Sequence, residues 1–108
     1  MHTYQRNALT VLAAGVLLGA LATPAVAAGN PSNGKKVFAS AGCAACHTMK
    51  AAGAKGMVGP NLDQKKPTLA KIIAQVTSGG KVMPAFKSRL TASQIQDLAA
   101  YVYASTHA

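Results

Sequence analysis

Tryptophan and glutamate are missing from this chain, and aromatic residues of any kind are scarce: two phenylalanines and three tyrosines in 108 residues. Only two cysteines occur, Cys43 and Cys46, so no disulfide network can staple the fold. Acidic groups are nearly absent. Asp63 and Asp97 stand alone against 11 lysines and arginines, a formal net charge of +9 at pH 7. That balance suits nucleic acid, an anionic membrane or an acidic protein partner, or simply a soluble basic surface. Nucleic acid has little else in its favour, because the aromatics are not interleaved with the lysines and no base-reading motif is present.

What is present centres on five residues. Cys43-Ala44-Ala45-Cys46-His47 holds both cysteines three positions apart with a histidine directly after the second. Besides the chance occurrence of a pattern with three fixed positions, two bland readings of this stretch are available. A redox disulfide needs a strand-turn-helix setting, and no convincing strand precedes Cys43. A structural zinc site wants four Cys or His ligands, and only His47 and His107 follow the pair. The remaining reading is the attachment signature of a c-type haem. Each thiol adds to one vinyl group on the same porphyrin edge, and the intervening residues make the short turn that brings both sulfurs there. His47 is then placed under the ring, where an imidazole nitrogen takes an axial position on iron.

The first stretch reads as a leader. Arg6 ends a short cationic start, and Ala8 to Ala22 is almost wholly apolar. Pro24 follows, and Ala25-Val26-Ala27 has the small-x-small form of a processing site, which predicts a secretory signal peptide over residues 1–27, cut after Ala27 or Ala28. An uncleaved anchor is the alternative, but the apolar core is interrupted by Gly15, Gly19 and Pro24 and falls short of the ~20 residues a spanning helix wants. Residues 28–108 are left as one small domain, without a membrane span and carrying nine lysines and Arg89 against two aspartates. A large apolar cofactor bonded twice would serve such a chain as core and staple together. The polypeptide without it is expected to be poorly ordered.

Three helices are predicted. The first covers Pro31 to Ser40, with Asn30 as cap and Gly34, Val37, Phe38 and Ala41 on one face. The second begins near Thr68, carries Leu69, Ile72, Ile73 and Val76 at helical spacing, and stops at Gly79-Gly80. The third starts at Thr91 with Gln94 three residues on, a capping box, and aligns Ile95, Leu98, Ala99 and Val102 with Tyr101 beside them. Lys50 to Lys66, rich in glycine, reads as loop. Nothing reads as a sheet, so the expected fold class is a small all-α domain.

Iron with two axial protein ligands needs a partner for His47. Met49 is too close to His47 in sequence to cross to the other side of the ring. His107 lies one residue from the C-terminus and is expected to fray. Met57, in a glycine-rich loop, and a lysine are further candidates. Met83 is preferred: it follows the Gly79-Gly80 stop, and Pro84 stiffens the loop that would present its sulfur.

The order Cys43-x-x-Cys46-His47, Gly59-Pro60-Asn61-Leu62, Met83-Pro84-Ala85-Phe86 resembles the class I single-haem c-type cytochromes. The resemblance implies a fold with N- and C-terminal helices crossing and the haem enclosed by loops and a middle helix. It implies metal ligation by His47 and Met83, a Pro60 carbonyl fixing the His47 tautomer, and contact of Gly34 and Phe38 with Leu98 and Tyr101. Gln75-Val76, Arg89-Leu90 and Ala100-Tyr101-Val102 are similar to the small soluble cytochromes of bacteria and of cyanobacterial and algal photosynthesis. There, a glutamine at the Gln75 position approaches the haem and tunes its potential, and an arginine at the Arg89 position lies near it. Lys87-Ser88 departs from the two glycines usual in the photosynthetic group, and Gly59-Pro60-Asn61-Leu62 is more typical of respiratory bacterial relatives.

The function expected is that of a one-electron carrier and not of an enzyme. A monomer with covalent haem c would serve redox proteins with acidic docking surfaces, in a respiratory or photosynthetic chain of the periplasm or another extracytoplasmic compartment. Lys50, Lys55, Lys81 and Lys87 flank the motif segments and are the candidate docking residues. The alternatives are a tethered haem module of a larger complex and a small haem enzyme or gas sensor with an open iron.

Overall fold

The computed structural model describes residues 29–108; the leader read at 1–27 lies outside the described residues. Helix α1 is Pro31–Ser40, capped by the Asn30 side chain, which accepts from the Asn33 amide, with Pro31 in the first turn where its missing N–H costs nothing. A short 3₁₀ turn, Cys43–Ala45, follows. Two two-residue strands, β1 Thr48–Met49 and β2 Ala54–Lys55, then pair antiparallel with Thr48 opposite Lys55 and Met49 opposite Ala54. Helix α2, Leu62–Lys65, is a single turn capped by Asn61. Helix α3, Leu69–Ser78, is capped by Thr68, and α4, Ala92–Thr106, starts with the full Thr91/Gln94 capping box.

The three long helices match the hydrophobic pattern closely. The small ladder corrects the expectation that no sheet forms, and α2 interrupts what reads as loop. Neither leaves a periodic signal: strands of two residues show no alternation, and one helical turn shows no stripe. The ladder still has structural weight, since Met49 and Ala54 are almost wholly buried. Met49 is a core residue here, which accounts for it without any role at a metal.

The α1/α4 crossing organises the rest. Phe38 meets Tyr101 edge-to-face with ring centroids 5.7 Å apart. At the point of crossing, a Cβ on Gly34 would lie 1.9 Å from the Asp97 carbonyl oxygen, so only glycine permits the approach. Val37, Phe38, Ile95, Leu98, Ala99 and Val102 are buried around this contact, and Ile72 and Val76 of α3 complete the core. His107 does not fray as expected: its ring stacks on Tyr103 at 4.0 Å and the amide of His107 donates to the Tyr103 carbonyl. Among the described residues no helix is long and apolar enough to cross a membrane.

Candidate haem site

The Cys43–His47 stretch is wound on itself. Gly42 takes the left-handed conformation (φ 80°) that turns the chain out of α1, and the amides of Cys46 and His47 both donate to the Cys43 carbonyl, at 3.2 and 3.1 Å. Both cysteines are half-buried, and no disulfide joins them. Burial pushes the Cys43 thiol up to about 11, with a smaller upward push from the neighbouring Cys46 opposing a backbone hydrogen bond. Cys43 and Cys46 would hold a haem here through thioether bonds to its vinyl groups.

Residues 56–60 fold back over this turn. The Gly56 amide donates to the His47 carbonyl at 3.0 Å, the Gly59 amide donates to Cys46, and the Thr48 hydroxyl donates to the Gly56 carbonyl at 2.8 Å. The loop ends with the Pro60 carbonyl 2.8 Å from His47 Nδ1. A carbonyl only accepts, so Nδ1 carries the proton and the Nε2 lone pair is left for a metal. Gly59 is the cradle of the ring. A Cβ at that position would sit 2.7 Å from Cε1 and 3.0 Å from Nδ1 of His47. Gly59→Ala is therefore expected to displace the imidazole and lower the unfolding free energy of the holoprotein by about 1–3 kcal/mol. A guanidinium titration with the visible spectrum recorded at each point checks this; unchanged stability and an unchanged spectrum would contradict it.

A second loop leaves α3. Gly79 takes a positive φ (70°) that favours glycine, the Gly80 amide donates to the Met83 carbonyl at 2.9 Å, and the Phe86 amide reaches back to Val76 at 2.9 Å. Phe86 is buried, and the Arg89 guanidinium carbon lies 5.2 Å from its ring centroid. The helix stop, the tight turn and the buried aromatic together define where Met83 and Pro84 stand.

Both loops line one cavity of about 810 Å³, within the range that encloses a cofactor. Its wall includes Cys43, Cys46, His47, Gly59, Pro60, Gln75 and Met83, with Phe38, Ile72, Val76, Leu98 and Val102 from the helices. The residues expected to hold the haem, Cys43, Cys46, His47, Pro60, Gln75 and Met83, thus meet in a single space. The competing methionines and histidine do not: Met49 is core, His107 is stacked on Tyr103, and Met57 is 89 % exposed, whereas lysines, the other candidate class, do reach it.

Sequence reasoning missed part of this wall. Lys65, Lys66 and Lys71 line the cavity with Lys81 and Arg89, and neither aspartate does. Of the four lysines singled out for docking, only Lys81 is there. Two propionates would find cations in this lining. No motif announces such residues, because they are far from the cysteines in the chain and are gathered by α2 and the start of α3. Lys66 is also the one non-glycine residue with positive φ among the described residues (45°), and its ammonium donates to the Thr106 carbonyl at 3.0 Å.

The fold and these residues can be set beside known proteins. Residues 29–102 match the family described as Cytochrome C oxidase, cbb3-type, subunit III. Cytochrome c6 of a Nostoc species is 45% identical over 102 residues, covering 87% of this chain and 86% of that protein. The chain belongs to the c-type cytochromes. Cytochrome c6 of Thermostichus vulcanus is 42% identical over 106 residues, 91% of this chain and 90% of its own length. Among solved structures, the c-type cytochrome SorU from Sinorhizobium meliloti aligns with a TM-score of 0.66 at 38% identity, over 70% of this chain and 90% of that one. Cytochrome c6 from the diatom Phaeodactylum tricornutum aligns with a TM-score of 0.60 at 37% identity, over 73% of this chain and 97% of that one. This c-type cytochrome is a small class I member related to cytochrome c6, and its cofactor is one covalently bound haem c. The cavity suits it: two thiols and an imidazole with a free Nε2 share one rim loop, the wall is mostly apolar, and its charged residues are all cationic.

Proposed function

We propose that this c-type cytochrome is a diffusible one-electron carrier whose iron is held by His47 and Met83 in both oxidation states, with Cys43 and Cys46 as the thioether anchors. The observation that carries this reading is the convergence of His47 and Met83 on the cysteine-bearing cavity while Met49, Met57 and His107 stay off it. Haem supplies the reversible ferric/ferrous couple. The protein's part is to hold both ligands through the cycle. Pro60 keeps the proton on Nδ1, Gly59 keeps the ring in place, and the Gly79-to-Phe86 hydrogen bonds keep the Met83 loop from swinging. Gln75 on α3 lines the same cavity, and the resemblance to the small soluble cytochromes gives its amide the role of tuning the potential.

A carrier makes and breaks no substrate bonds, and the reading here is accordingly not an enzyme. The cytochrome c6 relatives, matched over most of their own lengths, favour photosynthetic electron transfer and disfavour both the open-iron reading and the tethered-module reading. Residues 28–108 would act as a monomer in the periplasm or thylakoid lumen after loss of the leader. Its redox partners would offer acidic surfaces to Lys50, Lys55, Lys81 and Lys87, all exposed.

Stopped-flow oxidation of the ferrous protein by an acidic redox partner tests the docking. The second-order rate is expected to fall steadily from low to physiological salt, where the screening length shrinks to ~8 Å. Lys81→Gln is expected to weaken that dependence. A rate independent of salt would sink acidic docking, and a reduced-minus-oxidised spectrum without c-type bands would sink the carrier itself.

A further inference from the structure

The two aspartates of this chain have different tasks. Asp63 accepts from the Lys50 amide at 2.8 Å and ties α2 to the turn after β1. Asp97 lies in the middle of α4, half-buried, and its Oδ1 accepts from the Asn30 amide at 2.8 Å. Asn30 is the cap of α1, whose own first turn holds no acidic residue. The carboxylate therefore supplies from across the helix crossing the negative charge that a helix N-terminus favours.

The chain just before Asn30 is pressed onto the same spot. A Cβ on Gly29 would be 2.1 Å from the Gln96 carbonyl oxygen and 2.8 Å from the Asp97 amide nitrogen. Gly29 is thus pinned against α4 beside the Asp97 side chain. No basic side chain lies on α4, and among the described residues the hydrogen bond to the Asp97 carboxylate comes from Asn30.

Processing after Ala27 or Ala28 would leave an α-amino group one or two residues from the Asn30 amide, about 3–7 Å of chain. We propose that Asp97 receives the α-ammonium group created by leader removal, in an ion pair that exists only in the processed protein. This rests on the leader being cleaved. It gives maturation a structural consequence. In the unprocessed chain that nitrogen belongs to a neutral peptide, and among the described residues the Asp97 carboxylate accepts from the Asn30 amide. Once the leader is gone, a positive charge joins the N-terminal end of α1 to the middle of α4, at the crossing that closes over the haem cavity.

The other titratable groups on the packed elements are Lys35 and Lys36 of α1, Asp63 and Lys65 of α2, Lys71 of α3, and Tyr101 and Tyr103 of α4; both α1 lysines are exposed. An α-amino group titrates ordinarily near ~7.7–8.0. Pairing with a carboxylate raises that value in the folded state. Its stabilisation is then complete below the ordinary value and disappears as pH rises through the raised one.

The test uses exported holoprotein. Mass spectrometry first reads the N-terminus. Reductive ¹³C-methylation, which preserves the charge, then lets NMR follow the α-amine through pH 6 to 11. The expected result is an N-terminus at Ala28 or Gly29 and an α-amine titrating about one pH unit or more above its ordinary value. The shift should collapse in 1 M salt and in Asp97→Asn. An ordinary or lowered value in the wild type overturns the ion pair, even if the variant cannot be made. A retained leader overturns it too, and identifies processing as the step that failed.

Discussion

Met83→Ala is expected to abolish the sulfur-to-iron charge-transfer band of the ferric protein, to open the iron to carbon monoxide, and to lower the midpoint potential. A thioether stabilises ferrous iron, and axial ligation as a whole moves haem potentials over ~0.8 V, so the fall should take up a substantial part of that span. The loop itself should survive the change. Its shape comes from the Gly79 turn, the Gly80 amide on the Met83 carbonyl and the Phe86 amide on Val76, all backbone interactions that the substitution leaves in place. Met57→Leu and His107→Ala are the informative controls. Met57 is in solvent and His107 lies on Tyr103, so neither substitution should alter the band. Optical spectra, carbon monoxide titration and a potentiometric titration of the three variants together check the assignment. A band that survives in Met83→Ala, or vanishes in Met57→Leu, would remove Met83 from the iron.

The ease of reading this site follows from where its constraints lie along the chain. Cys43, Cys46 and His47 must be contiguous because one porphyrin edge is short, so their signal is local and complete. Pro60 and Met83 are single residues whose meaning depends on neighbours: Gly59 leaves room for the imidazole, and Gly79 starts the turn that carries Met83. Those glycines mark the loops in the sequence without saying what the loops approach. The helices are legible because each buries one face, and residues read as core, such as Phe38, Ile72 and Leu98, turn out also to form the cavity wall. The β1/β2 ladder escapes a sequence reading because its stability comes from burying Met49 and Ala54, a tertiary effect without local pattern. Lys65, Lys66 and Lys71 escape it for a related reason. A lysine on a solvated face and a lysine at a cavity look alike until the fold shows which side chains share a space.

Gly34→Ala should be the most damaging single methyl group in the domain. The added Cβ would stand 1.9 Å from the Asp97 carbonyl oxygen, 2.6 Å from its carbonyl carbon and 2.7 Å from Tyr101 Cβ. Two of these neighbours are backbone atoms inside the 15-residue helix α4, and they cannot rotate away as a side-chain tip can. The helices must separate instead. Separation takes Phe38 off Tyr101, loosens Leu98, and draws the Asn30 amide from Asp97, so several contacts fail together. The cost is expected at or above the ~3 kcal/mol that marks the upper end for overpacked cores. In a domain this small, that is a large share of a total stability of about 5–15 kcal/mol. Phe38, Leu98 and Val102 also line the cavity, so the loss should reach the cofactor as well. Two measurements check this: the guanidinium midpoint of the ferric holoprotein, and the fraction of exported chain carrying covalent haem. Both should drop in Gly34→Ala, while Ala39→Gly on the exposed face of α1 should cost only the ~1 kcal/mol of helix propensity and leave haem loading intact. If Gly34→Ala stays within that smaller cost, the two helices have slack at the crossing. The closeness of α1 to α4 would then not be what holds the cavity wall in place.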